Sequence, residues 1–172
     1  MSGKPRRLRE PEIDRLGRET YINLFLASNR FTDQIEKLCR EEQIAMSHYT
    51  VLWFLCRGHA PDGVPMGAVA DGHLNRASDA TRLADRLTKL GLLERWNSPE
   101  DRRVVLVRVT PAGRDVFLRL TRRIKALHRE QWAGLSIAEL RELGRLLAKT
   151  VWGAQKGASA RHPLVRDDAS PE

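Results

Sequence analysis

Two stretches gather hydrogen-bonding and cationic side chains closely enough to act together. Arg76, Ser78, Asp79, Thr81, Arg82 and Arg86 form the first, and Glu100-Asp101-Arg102-Arg103, just after an Asn-Ser-Pro turn signal, the second. A guanidinium can give two parallel hydrogen bonds to the acceptor edge of guanine, while Ser and Thr hydroxyls reach bases or phosphates. Such side chains recognise a polyanion rather than break bonds. The balance of 30 Lys+Arg against 22 Asp+Glu, a net charge of +8 with a pI near 10.2, points the same way, to nucleic acid or an acidic membrane surface.

Residues for catalysis are not grouped. The histidines His48, His59, His73, His128 and His162 are scattered, with no pair at the four-residue spacing that sets two metal ligands on one helix face. There is no glycine-rich phosphate loop and no nucleophile elbow. Cys39 and Cys56 have neither metal-ligand spacing nor a disulfide framework. We therefore expect no enzyme, no cofactor and no metal. No apolar run approaches the roughly 18 residues of a membrane span, and MSGKPRRLRE has no hydrophobic segment for secretion. The expected location is cytoplasmic, without a membrane partner.

The elements that must position these residues are almost all helical in period. After a basic flexible tail over 1–11, a helix is predicted over about 12–41, where Leu24, Ala27, Phe31, Ile35 and Leu38 recur at three- and four-residue steps. Ile22, Phe25 and Leu26 fall off that stripe, and a partner subunit is the natural cover. A second helix is predicted from Ser47, as N-cap, to about Arg57, with Met46 stapled against Val51 and Gly58 as the stop. A loop, a short segment from Pro65 to Leu74 weakened by Gly67 and Gly72, and a break at Asn75-Arg76 follow.

The next helix, about Ala77 to Leu90, buries Ala80, Leu83, Ala84, Leu87 and Leu90 and turns its basic residues outward, with Asn75 and Ser78 both open as its cap. Gly91 ends it. Strands over Leu92–Trp96 and Arg103–Val109 then make a hairpin. Thr110 caps another helix with Pro111 at its first position, and Val116, Phe117, Leu120, Ile124 and Leu127 face inward. Ser136 and Glu139 form a capping box with a Leu135–Leu140 staple, opening a last helix striped by Leu140, Leu143, Leu147 and Val151.

Two helices joined by a tight turn, the second basic on its outer face, followed by a hairpin with a charged tip, read as a winged helix-turn-helix. The fold class is mostly α with a small β-hairpin wing, flanked by N- and C-terminal dimerisation helices. Ser78, Asp79, Thr81 and Arg82 lie in the first turns of the recognition helix. An arginine of the wing tip is expected in the minor groove, its fork held by a bidentate pair with Asp101.

The stretch RLADRLTKLGLLERWNSPEDRRVVLVRVTPAGR, Arg82 to Arg114, resembles the signature of the MarR family of bacterial transcriptional regulators. The resemblance implies one domain over 12–154, with dimerisation helices about 12–41 and 136–154, the winged helix-turn-helix about 47–110 and a linking helix about 111–132; the polar, Gly/Ala/Ser-rich composition of 155–172 predicts a disordered tail. It also implies an obligate homodimer on a pseudo-palindromic double-stranded operator, often repressing a nearby gene and released by a small ligand. The DNA-binding set is then Arg76, Ser78, Asp79, Thr81, Arg82, Arg86, Asp101, Arg102 and Arg103, with Asp101 and Arg103 at the wing's acid and minor-groove arginine positions.

An effector would sit where the first, second and fifth helices meet, near Phe31, His48, Tyr49 and Trp53, an aromatic lining suited to an aromatic or amphipathic ligand. Core packing is the other reading of each of those residues. Oxidant sensing by Cys39 or Cys56 needs an exposed, low-pKa thiolate, and the apolar run around Cys56 argues for burial. The main alternative to a sequence-specific regulator is an architectural winged-helix protein that coats DNA without sequence preference.

Overall fold

Helix α1 (Glu10–Glu41) has 32 residues, which at 1.5 Å per residue make a rod of roughly 48 Å. The structure, a computed structural model, describes residues 10–57, 62–72 and 77–152. The expected tails over 1–11 and 155–172 fall almost wholly outside the described residues, as does the Asn75-Arg76 break. The C-terminal part of α1, with Ile35, Leu38 and the buried Cys39, packs into the core, whereas Tyr21, Ile22, Leu24, Phe25 and Leu26 remain exposed.

Helix α2 (Met46–Arg57) starts one residue before the predicted cap, so Ser47 lies inside it. The capping group is instead His48. Its Nδ1 accepts the Ala45 N–H at 3.0 Å, while the Ala45 carbonyl accepts the His48 N–H at 3.0 Å. The imidazole thereby does what a capping-box glutamate does, reaching back to an otherwise orphan donor. Glu36 Oε1 accepts the Met46 N–H at 3.2 Å and ties this start to α1.

Strand β1 (Val64–Pro65) leads into the seven-residue helix α3 (Met66–Gly72), whose Val69 is fully buried. Helix α4 (Ala77–Lys89) follows, and Ser78 lies within it rather than capping it. Then come β2 (Leu93–Asn97) and β3 (Val105–Val109). The sheet has three antiparallel strands in the order β1-β3-β2, one more than the expected hairpin. Arg95 pairs with Val107 and Asn97 with Val105, and Val64 pairs with Val107 from the other side. Pro65, lacking an N–H, is tolerated because β1 is an edge.

Helix α5 (Pro111–Gln131) is anchored as the sequence predicts: Thr110 Oγ1 accepts the Gly113 N–H at 3.1 Å and Pro111 opens the helix. The same hydroxyl donates to the Gly91 carbonyl at 2.7 Å, and the Thr110 N–H donates to the Leu92 carbonyl at 3.1 Å. Helix α4, the wing and α5 are thus locked at one corner. Leu52, Leu87 and Leu120, from α2, α4 and α5, are wholly buried. Removing each from water contributes about 1.5–3 kcal/mol, so the core sits where these three helices meet.

Along its far side α5 is tied back to α1. Arg119 Nη2 meets Glu42 Oε2 at 2.8 Å, Arg123 pairs with Glu41, and Gln131 Nε2 donates to Gln34 Oε1 at 2.9 Å. Helix α6 (Ile137–Trp152) begins at the predicted capping box: Glu139 Oε2 accepts the Ser136 N–H at 2.9 Å, and Ser136 Oγ accepts the Glu139 N–H at 3.3 Å. Its Ile137, Leu140, Leu146 and Val151 are exposed.

Candidate nucleic-acid interface

Helix α4 has two faces because its apolar residues recur at helical spacing. Ala80, Ala84 and Leu87 are completely buried, while Thr81, Arg82, Asp85, Arg86 and Lys89 are exposed. Burial of one stripe forces the other outward. Ser78 and Asp79 belong to the first turn of this helix, and Arg76 lies outside the described residues.

The wing follows from the Gly91 turn, where φ is +71°, a left-handed conformation that glycine adopts without strain. At the tip, the Ser98 N–H donates to the Val104 carbonyl at 2.8 Å and Asn97 Nδ2 donates to the Arg102 carbonyl at 2.7 Å. Asp101 differs from expectation. Its Oδ1 accepts the backbone N–H of Arg103 at 2.9 Å, and neither Arg102 nor Arg103 has an ion pair through its guanidinium among the described residues. A short acid two residues before a turn N–H bonds that donor locally, as Asx turns do. The carboxylate shapes the backbone instead of gripping the fork.

Two further ion pairs that the sequence reading did not single out organise the wing's stem. Arg95 pairs with Asp85, joining β2 to α4, and Arg108 Nε meets Glu94 Oε1 at 2.7 Å across the β2–β3 ladder. The Arg108 guanidinium also lies 5.2 Å from the Trp96 ring centre, a cation–π distance. The Glu94–Arg108 pair was findable, since the two residues are direct partners once the hairpin register is known. The Asp85–Arg95 pair had no such signal.

The proposed effector residues engage separate neighbours. Phe31 packs edge-on against Trp132 at 4.8 Å between ring centres. Tyr49 stacks on Phe117 at 5.9 Å and shares a 3.1 Å hydrogen bond with Thr121, so it joins α2 to α5. Trp53 receives the Arg57 guanidinium at 4.7 Å. His48 is held in the cap described above. Burial and, secondarily, the charge of Arg86 lower its pKa below the ordinary 6.5, against the pull of Glu36. Each of the four thus has a packing or capping role, and Phe31 and Tyr49 link α1 and α2 to α5 and its C-terminal cap. Both cysteine thiols are pushed up to about 11, Cys39 by burial and the nearby Glu36, Cys56 by burial against the opposing charge of Arg114. That is the reverse of a reactive thiolate.

Comparison with known proteins agrees with this geometry. A family model described as a winged helix DNA-binding domain matches residues 78–113, the segment from α4 through the wing to the start of α5. The HTH-type transcriptional repressor IacR of Pseudomonas putida is 26% identical over 140 residues, covering 80% of this chain and 82% of that protein. Among solved structures, a cysteine-to-serine variant of MarR from E. coli complexed with operator DNA superposes with a TM-score of 0.68 at 23% identity, over 81% of this chain and 96% of that one. BpsR of Bordetella bronchiseptica, from work on regulation of its DNA binding by 6-hydroxynicotinic acid, superposes with a TM-score of 0.65 at 21% identity, over 77% and 98%. The solved structures share the fold, the repressor relative extends along most of the chain, and the family model falls on α4 and the wing; the chain matches a winged helix DNA-binding domain there and has the fold of MarR-like transcription regulators.

Proposed function

We propose that two copies of the chain form a cytoplasmic, sequence-specific repressor that binds a pseudo-palindromic operator and is released by a small aromatic ligand. One observation carries the DNA-binding part: the exposed polar face of α4 is joined through Asp85–Arg95 to a wing whose tip presents Arg102 and Arg103. Helix α4 would enter the major groove with Ser78, Asp79, Thr81, Arg82 and Arg86, and Arg76 would add a contact just before it. Arg102 and Arg103 would approach the adjacent minor groove, where the potential is most negative.

The dimer is supported by unburied apolar surface at both ends of the chain. Tyr21 and Phe25 stack on each other at 6.2 Å yet are 67% and 52% exposed, and Ile137 and Val151 of α6 are 73% and 68% exposed. Covering these faces against a second copy would set two recognition helices about 34–36 Å apart, one turn of DNA. For the ligand, the junction of α1, α2 and α5 around Phe31, His48, Tyr49 and Trp53 is the favoured place, because it connects the dimer helices to the DNA-binding lobe. The regulation of BpsR by an aromatic acid supports that class of effector. A ligand preferring a different spacing of the two lobes would weaken DNA binding by a coupling of about 1–3 kcal/mol.

The deciding experiment is genomic-fragment capture at physiological salt with excess nonspecific DNA, followed by footprinting. Salt matters because phosphate contacts alone look tight at low ionic strength. A protected pseudo-palindrome supports the regulator. Uniform retention would support the architectural reading, which the net charge of +8 also favours.

A further inference from the structure

An acid stands in the middle of the exposed face of α4. Thr81 and Arg82 lie four and three residues before Asp85 and Lys89 lies four after it, and all are exposed, so Asp85 shares the face that carries the candidate DNA contacts. A carboxylate there repels phosphates, and an exposed ion pair adds little to fold stability. Its partner supplies the explanation. Arg95, in β2, is the more covered member of the pair, with side-chain exposure of 25% against 49% for Asp85.

The same arrangement recurs on the next rung of the wing, where Glu94 holds Arg108. Both stem arginines are therefore neutralised by acids, whereas Arg102 and Arg103 at the tip have no ion-pair partner among the described residues. Resting on the DNA-binding reading above, the geometry points to Asp85 as a positioning residue that determines specificity: it keeps Arg95 off the phosphates and sets the wing's angle to the recognition helix. Nonspecific affinity is lowered, and the tip arginines are delivered to one place relative to α4. The sequence alone counts four arginines in Arg95–Arg103 and Arg108 taken together; the pairing divides them into two that orient and two that are available.

The test uses the full chain, the fragment selected by capture and a scrambled duplex of equal length, titrated over a salt series. Asp85→Asn frees Arg95, so binding to the scrambled duplex should tighten and its salt dependence should steepen by about one phosphate contact. At the same time the operator-to-scrambled affinity ratio should fall roughly tenfold. Adding Arg95→Gln should return the scrambled-duplex affinity and salt slope to their original values while leaving the ratio low. Thermal midpoints close to that of the unaltered protein are expected, since the pair is exposed. Equal changes on both duplexes, or no change on either, overturn the proposal. If the unaltered protein shows no operator preference, the regulator reading itself fails; an unchanged salt slope for Asp85→Asn on the scrambled duplex then also overturns the role assigned to Asp85.

Discussion

Asp101 accepts the backbone N–H of Arg103 at 2.9 Å, and the Asp101 carbonyl accepts the Val104 N–H at 2.9 Å. The acid thus folds the wing tip, and the Arg103 side chain is left available. Arg103→Ala should cost about 1–3 kcal/mol of operator affinity in a mobility-shift titration and leave the oligomeric state unchanged in sedimentation. Asp101→Asn keeps an acceptor oxygen and should bind nearly normally, whereas Asp101→Ala should not. Equal losses in both Asp101 variants would restore the guanidinium pair that the sequence suggested.

Gly113 sits where the first turn of α5 passes the end of α4. A Cβ placed there would lie 2.1 Å from the Leu92 carbonyl oxygen and 2.9 Å from Val109 Cγ1. That carbonyl is already held by the Thr110 N–H, so backbone rather than a flexible side chain would have to yield. Gly113→Ala should lower stability by about 1–3 kcal/mol, read as a reduced urea midpoint. A variant as stable as the parent would mean that this corner is looser than the contact implies.

His48 caps α2 through an unprotonated ring nitrogen, and its folded pKa lies below the ordinary 6.5. The unfolded chain therefore binds the proton more readily. Stability is fully present above about pH 6.5 and declines as pH falls through that value towards the lower folded pKa. His48→Ala should lose about 0.5–2 kcal/mol at neutral pH and flatten the pH dependence of the thermal midpoint in this window. An unchanged slope would remove His48 from the account.

Cys39 and Cys56, both with pKa values of about 11, carry almost no thiolate at neutral pH. Alkylation of the folded protein should be slow, and peroxide should leave DNA binding intact. Rapid modification of either thiol together with loss of binding would make redox sensing a real function of this chain.

Much of this molecule was legible before folding was considered, and the reason is local. The stripe Ala80-Ala84-Leu87 and the caps at Thr110 and Ser136–Glu139 involve residues within one or two helical turns, so spacing alone specifies them. The misses have longer or ambiguous reach. Two residues, Val64-Pro65, have no periodicity to reveal a strand, and β1 exists only because β3 offers it an edge. At the start of α2, Ser47 is the stronger capping type, yet His48 supplies the acceptor because its ring can reach back three residues to Ala45.

The candidate site divides in the same way. By itself the sequence determined the helix types, the wing, and the concentration of arginine around it, because charge and period belong to the chain as written. Only the tertiary structure decided which arginines are engaged. Asp85 and Arg95 are separated by a turn, and Asp101 had a backbone donor and a guanidinium both within reach. Tertiary packing likewise left the α1 and α6 apolar faces uncovered in the single chain. Ion pairing and burial depend on distances between elements, and those distances are set only when α4, the sheet and α5 close around one core.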